Sequence, residues 1–145
     1  MVNCESERRF CQFCLQIPNH KLNHMFLKLN HQKLDIYTHS SHLVLECYNL
    51  TKHLPIEEKF GMITQIRRAA LSTHLNIAEG ASRKSEIERK RFYEIARSSV
   101  TEIDAALDIA KNLGYLDKLI LQALGDAIIN CFKLLTGLIE ANSKK

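Results

Sequence analysis

Four stretches of this chain place apolar residues at alternating intervals of three and four, which is the period of an amphipathic helix. The pattern predicts helices over residues 36–53, 56–79, 86–113 and 118–141. Two prolines and five glycines in 145 residues leave few points at which such helices would break. Long helices are therefore favoured over the frequent turns of a sandwich or barrel, and the pattern predicts an all-α fold of two helical hairpins.

Residues that are typical of turns and helix caps lie where the apolar pattern predicts the ends of the helices. Pro55 suits the first position of the second helix, and Gly80 suits the residue just after its end. Ser85 followed by Glu88 forms a capping-box pattern for the third helix, which should stop near Gly114.

The apolar positions also predict a core. On the first helix, Cys47 falls on the apolar side and should behave as a small hydrophobe. Phe60 and Phe92 belong to the apolar stripes of the second and third helices. Five positions define the predicted core most sharply: Ile63, Ile77, Ile95, Ile103 and Leu134.

The last helix has more apolar surface than a bundle needs. Its two stripes are Ile120, Ala127, Cys131, Leu134 and Leu138, and Leu121, Ile128, Phe132, Leu135 and Ile139. A bundle helix buries a face only slightly wider than 100°. The excess predicts a contact with another subunit.

The second helix carries an unusual polar stripe, formed by Gln65, Arg68, Ser72, Asn76 and Glu79. An ordinary solvated face would pair Lys with Glu four residues apart. Such a mixed row of hydrogen-bonding groups favours a subunit interface or a polar network, with Arg68 paired to Glu79 or to a carboxylate of a neighbour. A merely polar exterior is the alternative.

Positive charge is concentrated along the second and third helices. The net charge of the chain is +4, while residues 59–91 hold eight basic and three acidic side chains. The basic residues at and after the turn are the predicted nucleic-acid contacts: Arg83, Lys84, Arg89, Lys90 and Arg97. Few aromatic residues interleave with them, so contact with the phosphate backbone is favoured over base stacking.

Residues 1–33 lack a sustained period and are predicted to be a loosely ordered extension of a bundle over residues 34–145. Cys11 and Cys14 form a C-x-x-C, and His20 and His24 follow. Five residues between the pairs are too few for a zinc finger, so no metal is expected. Five unevenly spread cysteines indicate a reducing cytoplasm, and neither a signal peptide nor a membrane span is expected.

Searches for catalytic constellations find none. The chain has no Gly-rich phosphate loop, no H-E-x-x-H and no G-x-S-x-G. His39, His42, Glu46 and His53 share a helix face, but that face is polar and is interpreted as solvated. His74 is interpreted as a packed residue. The sequence therefore predicts a protein that is not an enzyme and has no cofactor or small-molecule substrate.

Residues 33–115 resemble a bacterial family encoded within intervening sequences of 23S ribosomal RNA genes. The resemblance is carried by LPIEEKFGMITQIRRAA at 54–70, by NIAEG at 76–80, and then by Arg83, Ser85, Glu88, Arg91, Phe92, Ile95, Ala96, Ser99 and Glu102. It implies a left-handed, antiparallel up-down-up-down four-helix bundle and assembly as a ring-shaped homopentamer. Similar accessory proteins of diversity-generating retroelements work with nucleic acid, and no enzymatic activity is established for the family.

Two functions follow as expectations. The first is a non-enzymatic, oligomeric protein that binds RNA or DNA through its backbone, since a ring would repeat the basic turn in every subunit. The alternative is a protein–protein interaction scaffold or accessory subunit without nucleic-acid binding.

Overall fold

The computed structural model describes residues 29–143, and all regular structure within that range is helical. The four main helices are α1 (Asp35–Thr51), α2 (Met62–Ser82), α3 (Glu86–Asn112) and α4 (Gln122–Ala141). Short 3₁₀ turns cover Asn30–Lys33 and Ile56–Phe60. The prediction of an all-α four-helix bundle is confirmed.

The helices pack side by side in chain order around one core. α2 lies against α1 and α3, and α4 lies against α3 and α1. Gln65 of α2 contacts Glu102 of α3 and Ser72 contacts Ser99, so these two helices run in opposite directions. The full up-down-up-down alternation and its handedness remain predictions. The largest fully buried side chains include Leu43, Ile66, Ile77, Ile103 and Leu135.

The start of α2 differs from the sequence prediction. The helix was expected from residue 56, but Gly61 interrupts it with φ −102° and ψ −112°. The backbone N–H of Met62 then donates to the Glu58 carboxylate at 3.1 Å, which caps the new helix start. Phe60 precedes this break and is 88% exposed, so its predicted burial is wrong.

Gly80 was expected to follow the end of α2, but it lies buried within the helix, which continues to Ser82. A Cβ at position 80 would lie 2.8 Å from Tyr93 Cε1 and 3.1 Å from Phe92 Cβ. The glycine therefore permits a close approach of α2 and α3.

The buried face of α3 is rotated slightly from the predicted one. Tyr93, rather than Phe92, is buried, while Ile95 is 39% exposed. Burial of Ile103 is confirmed, and Leu134 of α4 is half-buried against the core. Burial raises the pKa of the Tyr93 hydroxyl, which the charge of Arg89 partly offsets.

The predicted bond to Ser85 at the start of α3 is present, and α3 ends near Gly114 as predicted. The Ser85 hydroxyl accepts from the Glu88 N–H at 3.5 Å. Gly114 has φ +76°, the left-handed conformation that glycine adopts readily. Its N–H donates to Lys111 O at 2.9 Å, and the Tyr115 N–H donates to Ala110 O at 3.0 Å. This pair of bonds is a Schellman motif.

Cys47 and Cys131 are fully buried free thiols, as expected of small core residues. Burial raises the pKa of each thiol to about 12, and their proximity contributes to the shift at Cys47. Both are therefore protonated and unreactive at neutral pH. Cys11 and Cys14 lie outside the described residues.

The composition of α4 departs from the expectation that no segment could span a membrane. By length and composition alone, Gln122–Ala141 is apolar enough to cross one, with a third of the tested window buried inside the bundle. Its buried side chains include Leu124, Cys131 and Leu135, which face the core. A core helix of a bundle has the same apolar character.

Candidate nucleic-acid interface

The turn between α2 and α3 is built by backbone bonds and by one arginine. The Arg83 N–H donates to Gly80 O at 3.1 Å and so ends α2. Arg89, one turn into α3, reaches back and donates to the carbonyls of Arg83 and Lys84, each at 3.3 Å. These carbonyls have no helical partners, so the Arg89 guanidinium fixes the shape of the turn.

Arg83 is held by its own helix and by α3. Its guanidinium forms an ion pair with Glu79 and lies over the Phe92 ring, 4.9 Å from the ring centroid. Its Nε is buried and has no hydrogen-bond partner among the described residues. The charge of Arg83 is therefore compensated locally, and a phosphate would have to compete with Glu79.

Two further predicted contacts also have partners. Lys90 Nζ lies 3.9 Å from a carboxylate oxygen of Glu94, at i,i+4 spacing. Arg97 donates to the Thr136 hydroxyl of α4 at 3.4 Å and lies over Phe132 at 5.8 Å. Arg97 thus joins α3 to α4, away from the turn.

Lys84 and Arg91 are the exposed basic residues of this region without a bond. The side chain of neither residue makes a hydrogen bond or ion pair within residues 29–143. Arg91 was not among the predicted contacts, although a signal for it exists. Positions 87 and 95 hold isoleucine, so Arg91 has no carboxylate at i±4, whereas Arg83 has Glu79 there and Lys90 has Glu86 and Glu94. The signal is weak, because Glu88 and Glu94 stand at i−3 and i+3 to Arg91.

Charge compensation extends over the whole bundle. Residues 29–143 contain fourteen lysines and arginines and fourteen aspartates and glutamates. The basic excess of residues 59–91 is also divided along the bundle, because Arg68 lies about 20 Å along α2 from Ser82 at the helical rise. The turn is therefore a small basic site and not one end of a strongly positive molecule.

The polar stripe of α2 lies largely at the α2–α3 contact. Gln65 donates to Glu102. The hydroxyls of Ser72 and Ser99 are 2.9 Å apart, and the Asn76 amide donates to Ser72 O at 2.8 Å. The polar groups of α2 thus join the two helices of one chain.

Arg68 is the exception in that stripe. It is exposed, and its side chain has no bonding partner among residues 29–143. Glu79 lies about 16 Å further along the same helix at the helical rise, and it pairs with Arg83. The expected Arg68–Glu79 pair is therefore absent within the described chain. Arg68 lines a shallow polar groove of about 300 Å³ with Gln65, Ser72 and Glu102. A pairing of Arg68 with a neighbour's carboxylate stays a prediction.

The histidines form no metal site in the part of the chain that is described. His42 lies 3.8 Å from Glu46 on the exposed face of α1. His74 is half-buried, with its ring 4.3 Å from that of Tyr37 and its Nδ1 2.8 Å from the Ser40 hydroxyl. Burial, and then the charge of His31, lower its pKa. The interpretation of His74 as a packed residue agrees with these contacts.

Comparison with known families gives one result. A family model described as 23S rRNA-intervening sequence protein matches residues 32–137. No curated protein matches the chain.

Proposed function

Because the chain belongs to the family of 23S rRNA-intervening sequence proteins, we propose that it is a non-enzymatic, oligomeric protein that binds the backbone of RNA or DNA. The observation that supports this proposal is the turn fixed by Arg89, beside which Lys84 and Arg91 are exposed without partners. The finer expectations belong to the same proposal: an up-down-up-down bundle, a homopentamer, and a cytoplasmic location.

The proposed affinity for nucleic acid depends on repetition of the basic turn in several subunits. Each subunit offers two unpaired cations at one turn, and two phosphate contacts give only weak binding. A ring would present the same turn once per subunit, and simultaneous contacts multiply affinity without new chemistry. Backbone binding of this kind is weakly sequence-specific and strongly salt-dependent.

The test removes the two unpaired cations together. The variant Lys84→Ala/Arg91→Ala should bind a structured RNA hairpin with affinity lower by on the order of tenfold or more at low salt, measured by fluorescence anisotropy. The matched control is Lys111→Ala/Lys118→Ala, which removes the same charge from exposed sites at the opposite end of the bundle. We expect the control to bind nearly as well as the parent protein.

Equal losses in the two variants would mean that only net charge matters. Unchanged binding in both, or no binding by the parent protein, would favour the second candidate function. Substituting Arg83 or Arg89 is a poorer test, because these residues also hold the turn together.

That second candidate is a protein–protein interaction scaffold without nucleic-acid binding. It is favoured by the charge balance of residues 29–143 and by exposed apolar side chains, including Leu75 and Ile129. The scaffold function would be supported if the purified protein retained a protein partner and if its ratio of absorbance at 260 nm to absorbance at 280 nm showed that it carried no nucleic acid.

A further inference from the structure

An apolar ridge runs along the outer side of α2. Leu71 and Leu75 are 39% and 61% exposed, and their spacing of four residues puts them one turn apart on the same side. Arg68 precedes Leu71 by three residues and lies next to this ridge without a partner in the described chain. The ridge is therefore two leucines preceded by one cation whose guanidinium has no bonded partner among residues 29–143.

A groove of about 430 Å³ lies between α3 and α4 on another side of the bundle. Its apolar residues include Val100, Ile128, Ile129 and Phe132, and the last two are about half exposed. Asp104 lies on the α3 rim and Lys133 on the α4 rim, and neither side chain makes a hydrogen bond or ion pair within residues 29–143. The groove is thus apolar, with a carboxylate at its α3 edge and a lysine at its α4 edge.

The α2 ridge and the α3–α4 groove are complementary in shape and in charge. The apolar face of one helix can dock in a hydrophobic groove between two others, a recurring mode of helix recognition. The cation at position 68 matches the anion at position 104, and charge matching of this kind sets register and excludes wrong partners. Since both surfaces belong to the same chain, each copy can offer its ridge to one neighbour and its groove to another.

We propose that a second copy of this chain covers the α3–α4 groove with its α2 ridge, placing Arg68 of one copy against Asp104 of the next. The inference rests on the oligomeric part of the proposed function and adds the surfaces that join the subunits. The contact is heterologous, because two different surfaces meet, and heterologous contacts close into rings when the rotation between subunits allows it.

The test reverses each charge singly and then both together, which restores the pair of opposite charges. The mass of the assembly is measured by light scattering coupled to size-exclusion chromatography at micromolar concentration. Arg68→Asp and Asp104→Arg each place like charges at the contact, so each should shift the mass towards the 16.7 kDa monomer. The double variant restores opposite charges and should recover the mass of the parent assembly. Leu75→Glu, which charges the ridge itself, should also give monomer.

Controls separate this inference from the proposed function. Lys118→Asp reverses an exposed charge outside both surfaces and should leave the assembly intact. Circular dichroism should show a folded bundle for every variant, since both substituted charges are exposed and unbonded. A parent protein that is itself monomeric would overturn the oligomeric function. An oligomer that survives Arg68→Asp and Leu75→Glu would overturn only this interface, and another partner would then occupy the groove.

Discussion

At the scale of single residues, Gly80 permits a close approach between α2 and α3. A methyl group there would lie within about 3 Å of the buried Tyr93 ring and 3.1 Å from Phe92 Cβ, and Cβ cannot move without the backbone of α3. We expect Gly80→Ala to lower the free energy of unfolding by about 1–3 kcal/mol through overpacking, measured by urea denaturation.

The matched control for that change is Gly137→Ala. Gly137 lies inside α4, and a Cβ there would have nothing within 4 Å. Alanine should therefore stabilise the protein by about 0.5–1 kcal/mol through its higher helix propensity. If Gly80→Ala and Gly137→Ala changed the free energy of unfolding in the same direction, close packing at Gly80 would not explain the effect of its substitution.

His74 gives the protein a pH-dependent stability. Its pKa is lowered from 6.5 by burial, so the folded state favours the neutral ring and the unfolded state binds more protons. The stabilisation is complete above the ordinary pKa and is lost as pH falls from 6.5 through the lowered pKa. We expect the urea midpoint to decrease between pH 7.5 and 5.5.

The variant His74→Asn tests the assignment of this effect. Asparagine retains a polar group that can bond to Ser40 but does not titrate, so part of the pH dependence should disappear. The exposed His39 supplies the comparison, and His39→Asn should retain the full dependence. Identical pH profiles in the two variants would contradict the role given to His74.

Residue roles at the turn were only partly predictable. The sequence identifies a basic segment, but it does not say which charges are already bonded. Glu79 and Glu94 at i,i+4 spacing could have indicated partners for Arg83 and Lys90. Spacing alone does not single out Arg91, because Glu88 and Glu94 stand three residues to either side of it. The bonds of Arg89 to turn carbonyls and of Arg97 to Thr136 depend on tertiary packing, which no local spacing reveals.

At the scale of elements, the helices could be predicted because their apolar period is long and regular. The two ends of α2 could not be predicted, because they depend on side chains outside the helix. The Glu58 carboxylate caps the start of α2, and the close approach of Tyr93 explains why Gly80 lies within the helix and not after it. Phe92 and Tyr93 are adjacent aromatic residues, and the pattern alone could not say which of them faces the core.

The cap of α3 offers a test at this scale. Ser85→Ala removes the acceptor for the Glu88 N–H and should lower the free energy of unfolding by about 1 kcal/mol. Ser85→Asp keeps an acceptor and should be close to neutral. A thermal or urea comparison in which the two variants were equally destabilised would show that the cap bond contributes nothing.

At the scale of the whole molecule, the N-terminal residues provide the next prediction. The sequence predicts that residues 1–32 are dispensable for folding, because they have no periodic apolar face. Removing residues 1–28 should therefore leave the thermal midpoint within a few degrees. Removing residues 1–33 should cost more, since His31 packs at 4.8 Å from Tyr37. A large loss with the shorter truncation, or stoichiometric zinc in the full-length protein, would contradict this expectation.

Net charge was the feature that misled most at this scale. The excess of residues 59–91 is real along the sequence, but Arg83 pairs with Glu79 and Lys90 pairs with Glu94, which lies just beyond the segment. A sum over a segment includes neither local pairing nor acidic residues that follow it. The fold could therefore be predicted well, and the electrostatic surface only in outline.

The most direct test of the proposed function is the salt dependence of RNA binding by the parent protein. Affinity for a structured RNA hairpin should be measured between 50 and 200 mM salt, where each phosphate contact contributes about 0.7–0.9 to the slope of log affinity against log salt. One subunit that uses Lys84 and Arg91 predicts a slope of about 1.4–1.8, and an assembly that applies these residues from two or more subunits predicts a slope of about three or steeper. Binding that is absent, or that does not weaken with salt, would contradict the proposal.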